Sequence, residues 1–414
     1  MAPLTSRGVR VCRGCDAEAL VPVLDLDAQP LANELHPSRD TKDDCFPLQL
    51  SVCSVCGLGQ IGEYVLPERI FSDYPYLSSV SESWVAHAQS YADRMVHELA
   101  LDGNSLVVEV ASNDGYLLRC FKELGIRTLG IEPADNVAEF ARAAGIETRS
   151  AFLGASTGAE IAAGAGRPRL IAANNVMAHV PDLHDFIAGL AALSGPETII
   201  TVENPSFLNL LQEAQFDTIY HEHFSYLSAH AVRTAVERHG LELVRVEELP
   251  THGGSYRYWI VQSGQRSDDG SVATAIEREE SSGLLSPDLW ANFAKRSHSA
   301  IEGLGAWLIN RADAGDRVAA YGAAAKGNTL LNAAGVNAHQ ILLCADGSTE
   351  KQGKFLPGSH IPVVPPEGLA AANPSDVLIL PWNIAPEISA IVTRLTPTAR
   401  SWVAVPTMSA VTKR

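Results

Sequence analysis

From Ser105 to Pro205 the chain alternates apolar runs with amphipathic ones, and this alternation limits the possible folds more than any other feature. LVVEVA (106–111) reads as a buried strand and YLLRCFKELG (116–125) as a helix. TLGIEP (128–133) and NVAEFARAAG (136–145) repeat the pair. RLIAANNV (169–176), LHDFIAGLAALS (183–194) and TIITVENP (198–205) continue it. Such a series predicts a parallel sheet covered by helices on both faces. Ser83–Leu101 reads as an amphipathic helix ahead of the series. LELVRVEELP (241–250) and SYRYWIVQS (255–263) have no helix between them and predict an antiparallel hairpin closing the sheet.

A chain of 414 residues exceeds what one hydrophobic core usually serves. Residues 273–314 read as a helical connector, broken at Ser281–Pro287. A second strand–loop–helix unit begins at DRVAAYGAAAKGNTLLNAAG (316–335), with strand-like runs at ILLCAD (341–346) and VLILPW (377–382). The expected boundaries are a cysteine-bearing domain over 1–75, a ligand-binding α/β domain over 76–270 and a second α/β domain over 271–414. Neither a membrane-spanning apolar run nor a signal-peptide core is visible, so the cytoplasm is the expected compartment. The net charge of −17 argues against a nucleic-acid partner, because such affinity rests on Lys and Arg.

Five of seven cysteines fall within residues 12–56. Cys12 and Cys15 form one C-x2-C, and Cys53 and Cys56 another; Cys45 stands apart. Paired spacing in a reducing compartment predicts a structural zinc site with four thiolates.

VVEVASNDGYLL turns sharply after a strand and before a helix. Backbone amides at a helix N-terminus can meet a ligand carboxylate, and Glu132, closing the next strand, can accept both ribose hydroxyls of a nucleoside. Ala111 and Asn113 stand where a dinucleotide loop has glycines. A pyrophosphate therefore fits poorly, which disfavours a nicotinamide-dependent oxidoreductase, while S-adenosylmethionine (SAM) fits better. The expected cofactor contacts are Glu109, Ala111, Asn113, Asp114, Gly115, Glu132, Pro133 and Asn174. Tyr220, His221, Glu222, His223 and Tyr226 crowd together after the strand ending at Pro205, where class I sheets bind ligands. A His beside a Glu and a Tyr can act as a general base. His179, at another strand end, and Tyr74 and Tyr76, in DYPYLSS, are further candidates. In GAAAKGN (322–328), Lys326 and adjacent amides can hold a phosphate, with Asn328 beside them.

Together the paired cysteines, S-N-D-G-Y, FDTIYHEHFSYLS (216–228), HGGSYRY (252–258), YGAAAKGNTLLN (321–332) and GSHIPV (358–363) resemble the sugar C-methyltransferases of deoxysugar biosynthesis, over nearly the whole chain. The resemblance implies an N-terminal zinc-binding domain, a central class I (Rossmann-like) SAM methyltransferase domain and a C-terminal Rossmann-like domain. It also implies a thymidine-diphosphate-linked 4-keto sugar as substrate, with Tyr220, Glu222 and His223 near the reacting carbon, His223 as base, and His179 and Tyr76 beside them. Ala111 departs from the family, whose members often carry Gly there. The remaining expectations are a monomer with a small-molecule nucleotide-sugar substrate, no nucleic acid and no membrane. A SAM-dependent methyltransferase of a non-sugar acceptor is the alternative.

Overall fold

The computed structural model describes residues 11–66, 69–70, 77–80 and 82–412. Tyr74 and Tyr76 lie outside the described residues.

The N-terminal lobe holds β1 (Leu20–Pro30), β2 (Cys45–Cys53) and β3 (Gly59–Ile61), all antiparallel. In β2, Leu48, Leu50 and Val52 alternate with less buried residues, as a strand covered on one face requires. Two register shifts, between Pro22 and Leu24 and between Asp25 and Ala28, interrupt that period in β1. The fourth strand of this sheet is not local. It is β9, introduced below, paired with β3.

After α1 (Glu82–Glu98) the expected alternation appears: β4 (Leu106–Val110), α2 (Tyr116–Glu123), β5 (Arg127–Ile131), α3 (Asp135–Ala143), β6 (Thr148–Arg149), α4 (Ala155–Ala165), β7 (Leu170–Asn174), α5 (Leu183–Leu193) and β8 (Ile199–Pro205). The sequence reading did not include the strand–helix pair β6 and α4. Every residue of β4 is buried, as a central parallel strand covered on both faces must be. α6 (Phe207–Gln212), β9 (Ser225–Tyr226) and α7 (Ala229–Glu237) precede the hairpin of β10 (Leu241–Leu249) and β11 (Ser255–Gln262). The seven strands run in the order β10-β11-β8-β7-β4-β5-β6, with β11 antiparallel to β8. From β4 the chain steps outward through β5 and β6, then returns to β7 on the other side. The crevice at the carboxyl ends of β4 and β7 is thus a topological switch point, where open α/β sheets bind ligands.

α8 (Ser271–Ser281) leads to α9 (Pro287–Asp313), 27 residues or about 40 Å long. Ser286 caps α9 by accepting from Asp288 N, and Pro287 occupies its first turn, where no donor is needed. Its buried stripe, Trp290, Phe293, Ser297, Ala300, Leu304 and Trp307, follows three- and four-residue steps. The last sheet collects β12 (Val318–Tyr321), β13 (Cys344–Ala345), β14 (Val363–Val364), β15 (Asp376–Ile379), β16 (Arg400–Val403) and β17 (Ser409–Ala410) in the order β14-β13-β12-β15-β16-β17. All pairs are parallel except β16–β17. α10 (Ala325–Ala333), after β12, starts at this sheet's own switch point. Within ILLCAD only Cys344–Ala345 is strand, so the apolar run overstates the element.

The lobes share cores. Cys12, Cys53 and Cys56 pack in one cluster with Val108, Val202 and Tyr258 of the central sheet. Leu48, Leu50 and Ile61 pack in another with Phe207, Phe293 and Leu331. No helix among the described residues is long and apolar enough to cross a membrane.

Candidate active site

At the end of β4 the backbone takes left-handed angles at Ala111 (φ 55°), Asn113 (φ 50°) and Gly115 (φ 79°). Only glycine does so freely; a non-glycine residue there costs on the order of 1–2 kcal/mol and persists where its surroundings impose it. Gly115 is also required by space, since a Cβ would lie 2.9 Å from Ile146 Cγ1. Glu132 braces the turn from β5: Oε2 accepts from Asn113 N and Oε1 from Ala134 N, both at 2.9 Å, with Pro133 between. Asn113 Oδ1 and Asp114 Oδ2 accept from Ser78 N (2.8 Å) and Ser79 N (3.2 Å), which draws residues 78–79 across the loop.

Among the described residues, the buried atoms Glu109 Oε2, Asp114 Oδ1 and Asn174 Oδ1 around this loop have no hydrogen-bond partner. Burial, and then the charges of Asp114 and Glu132, push the Glu109 carboxyl well up. Burial raises Glu132 as well. Crowded, dehydrated acceptors fit a ligand that brings donors and positive charge; SAM brings an ammonium, two ribose hydroxyls and a sulfonium. Above them Trp84 stacks on His87 (5.0 Å) and lies 5.2 Å from His252 and 6.3 Å from Tyr116. Behind, Glu203 and Arg257, both nearly inaccessible, pair at 2.6 Å, with His87 and Thr251 also on the carboxylate. The sequence reading did not single out Trp84, His87, Glu203 or Arg257.

The segment expected to carry catalysis is folded as turns, beginning with a 3-10 turn at Phe216–Thr218. His223 Nδ1 lies 2.9 Å from the Thr218 carbonyl oxygen. A carbonyl only accepts, so Nδ1 carries the proton and Nε2 keeps the lone pair. Tyr220 then donates its hydroxyl to Nε2 over 3.0 Å, with the two rings 4.1 Å apart. His179, in the turn after β7, sits edge-on to His223 at 4.7 Å. Burial lowers both imidazoles, His179 to about 4 and His223 well below its ordinary 6.5. Burial thus favours the neutral form of both rings.

Glu222 does not reach the His223 ring nitrogens. Successive side chains of the turn diverge, and Glu222 Oε1 accepts from Asn33 Nδ2 of the N-terminal lobe at 2.6 Å. Burial pushes this carboxyl up to about 7. His221 also faces that lobe, with Nε2 near the carbonyls of Phe46 (3.2 Å) and Pro47 (3.3 Å).

Lys326, in the first turn of α10, donates to Asn383 Oδ1 at 2.8 Å and lies 4.7 Å over the Trp382 ring. Trp382 Nε1 donates to Asp217 Oδ2 at 2.8 Å, and the field of Lys326 reaches Asp217, His223 and His252. The central and C-terminal domains therefore meet at this cation. Asn328 is buried beneath the N-terminal lobe, with Nδ2 on Ala32 O at 2.6 Å and Oδ1 without a partner among the described residues.

The sulfurs of Cys12, Cys15, Cys53 and Cys56 all lie within 4.8 Å of one another, Cys12–Cys56 at 3.5 Å and Cys15–Cys53 at 3.6 Å. A zinc tetrahedron with arms of ~2.3 Å has edges of ~3.8 Å, so the four thiolates fit the ion with no position left for water. Cys45 is exposed and apart.

Three family models match the chain in succession: a zinc binding domain over 12–71, a methyltransferase domain over 84–246 and a C-methyltransferase C-terminal domain over 250–406. C-methyltransferase NovU of Streptomyces niveus is 37% identical over 388 residues, 92% of either chain. The chain belongs to this C-methyltransferase family. Among solved structures, magnesium protoporphyrin IX methyltransferase of Synechocystis PCC 6803 with bound SAM matches at 18% identity, over 47% of this chain and 89% of its own, with a TM-score of 0.33. A SAM-dependent methyltransferase of Anabaena variabilis ATCC 29413 matches at 14% identity, over 47% and 99%, with a TM-score of 0.33. Likeness at that level carries no weight beside the strand order itself. The C-methyltransferase uses SAM as methyl donor, and its matched zinc domain contains the four-cysteine cluster.

Glu132→Ala in this C-methyltransferase is expected to weaken SAM binding roughly 10- to 150-fold, the loss of one charge-assisted hydrogen bond of about 1.5–3 kcal/mol. Calorimetric titration measures it. Unchanged affinity would place the ribose elsewhere.

Proposed function

We propose that the acceptor is a nucleotide-linked 4-keto-deoxysugar, dTDP-linked in the first instance, and that the methyl group goes to the carbon beside the ketone. The observation that carries this reading is the lone pair of His223 Nε2, held neutral in a buried site at the carboxyl ends of the strands. A carbon acceptor must lose a proton before it can attack, and a ketone makes the neighbouring C–H acidic enough for an imidazole to take it. The C–H electron pair moves into the enolate and the proton goes to Nε2. Tyr220, whose hydroxyl occupies that lone pair in this structure, has to turn away before Nε2 can take the proton, and so turned it can donate to the enolate oxygen. SAM supplies an electrophilic methyl group. Held at the β4 loop, SAM would give up that methyl as the new C–C bond forms. Its S–CH3 bond would break with the electron pair going to sulfur, and S-adenosylhomocysteine would leave. The ketone would be restored, and His223 would give its proton to solvent.

Glu222 in this reading ties the catalytic turn to Asn33 and helps keep water out. Tyr76 is assigned to the same site through the family resemblance. Lys326, at the switch point of the C-terminal sheet, supplies a cation for the substrate diphosphate; Asn328 supports its loop. Anchoring the nucleotide there would use binding energy remote from the reacting carbon to position it.

Incubation with SAM and a panel of dTDP-4-keto sugars, followed by mass spectrometry and NMR of the products, tests this function. The expected product is one methyl group heavier at C3 or C5. If none of these sugars is methylated while a ketone without a nucleotide is, the acceptor is not a nucleotide sugar.

A further inference from the structure

We infer that Arg13, between two zinc ligands, is a positioning residue for catalysis: its guanidinium clamps the backbone at Phe224 and so fixes where His223 stands. The inference rests on His223 as the base. Thr218 sets the orientation of the His223 ring and His223 N donates to Tyr220 O at 2.9 Å; on the other side, the position of its Cα depends on what holds the next residue. The Phe224 carbonyl accepts from Ile61 N at 3.2 Å and from Arg13 Nη1. Arg13 Nη2 donates to Ile61 O at 3.1 Å. One planar fork therefore bridges β3 and the catalytic segment, a geometry the point charge of a lysine cannot reproduce. The guanidinium carbon also lies 5.8 Å from the Phe224 ring centroid, and Arg13 N donates to Gln60 Oε1 at 3.0 Å.

Cys12 precedes Arg13 and Cys15 follows two residues later, so the first knuckle fixes the root of the fork. The second knuckle holds the same stretch from its other end. His230 Nδ1 lies 3.1 Å from Cys56 O, and Ser228 Oγ donates to Gly57 O at 3.5 Å. β9 pairs with β3 between these two grips. Among the described residues no carboxylate pairs with Arg13 within 4 Å; its guanidinium hydrogen bonds go to neutral carbonyls. A 1 Å displacement of a reacting group can cost about 10²-fold in rate.

The test compares Arg13→Ala and Arg13→Lys with wild type in the zinc-loaded full chain. The readouts are zinc content, Tm, SAM affinity by calorimetry, kcat and KM for the acceptor that wild type methylates, and rescue by added ethylguanidinium. Expected for both variants are one zinc per chain, unchanged SAM affinity and KM, and a kcat lower by about 10–100-fold, with ethylguanidinium restoring part of the loss in Arg13→Ala. A merely structural role would lower Tm and zinc content and would leave kcat per folded molecule unchanged. If Arg13→Ala does not fold, Arg13→Lys decides alone. Wild-type kcat in a folded, zinc-loaded variant overturns the inference. His223→Asn, measured alongside, tests the underlying reading separately: if it keeps wild-type turnover, the base is elsewhere and the inference falls with that reading, whereas slow His223→Asn beside wild-type kcat in the Arg13 variants overturns the inference alone.

Discussion

His223→Asn is expected to lower turnover by roughly 10²–10⁴-fold, the usual contribution of a positioned general base, while SAM and acceptor binding stay near wild type. Turnover alone can mislead, because a collapsed turn also slows the reaction. Exchange of the substrate α-proton with deuterated water, in the presence of S-adenosylhomocysteine so that no methyl group is transferred, isolates the step. Wild type should introduce deuterium beside the ketone and His223→Asn should not. Tyr220→Phe should retain part of the exchange. Wild-type exchange in the His223 variant would move the base elsewhere, with His179, 4.7 Å away, the first alternative. Because burial holds the His223 pKa well below 6.5, the lone pair survives as pH falls through 6.5. The acid limb of kcat/KM is therefore expected below that value.

Removal of the zinc ligand Cys56 should have the largest effect on stability. A closed four-thiolate site contributes on the order of 10 kcal/mol of folding free energy, against whole-protein stabilities of about 5–15 kcal/mol. Elemental analysis of protein purified without added metal should give about one zinc per chain. Cys56→Ser should bind far less and melt much lower. The damage should not stay in the lobe, since Cys12, Cys53 and Cys56 share a core with the central sheet. Well-folded protein with zinc far below one equivalent would rule out the closed site.

The parts of this architecture visible in the sequence are those whose signal is local. β4, β5, β7 and β8 announce themselves because their runs are largely apolar and the helices beside them show their period, whereas β6, a Thr-Arg pair with one residue exposed, offers no such run. The C-x2-C pairs are legible because the spacing itself is the chemistry. β2 could have been found, since Leu48, Leu50 and Val52 alternate cleanly, whereas the shifts in β1 erase the same pattern. β9 could not: two residues in a histidine- and tyrosine-rich loop carry no period, and only the partner strand makes them a strand. The crowding of Tyr220, Glu222 and His223 was visible, but the direction of each side chain was not. Adjacent turn residues diverge, which sends Glu222 to Asn33 and leaves a backbone carbonyl to orient His223. The Glu203–Arg257 pair had no signal either, because two charges inside apolar strands look like edge residues until the neighbouring strands are in place.

The pairing of β3 with β9 also has a consequence in time. The lobe's own three strands leave the ribosome well before Ser225, and at translation rates of ~5–20 residues per second the delay is on the order of ten seconds or more. Throughout that interval β3 presents an open edge, the kind of surface on which chains pair with one another. Expression in an overloaded host should therefore be limited by association of nascent chains at that edge. Fragments that stop short of residue 225 should aggregate even with zinc supplied, and exchanging the lobe between relatives should succeed only when residues 224–230 travel with it.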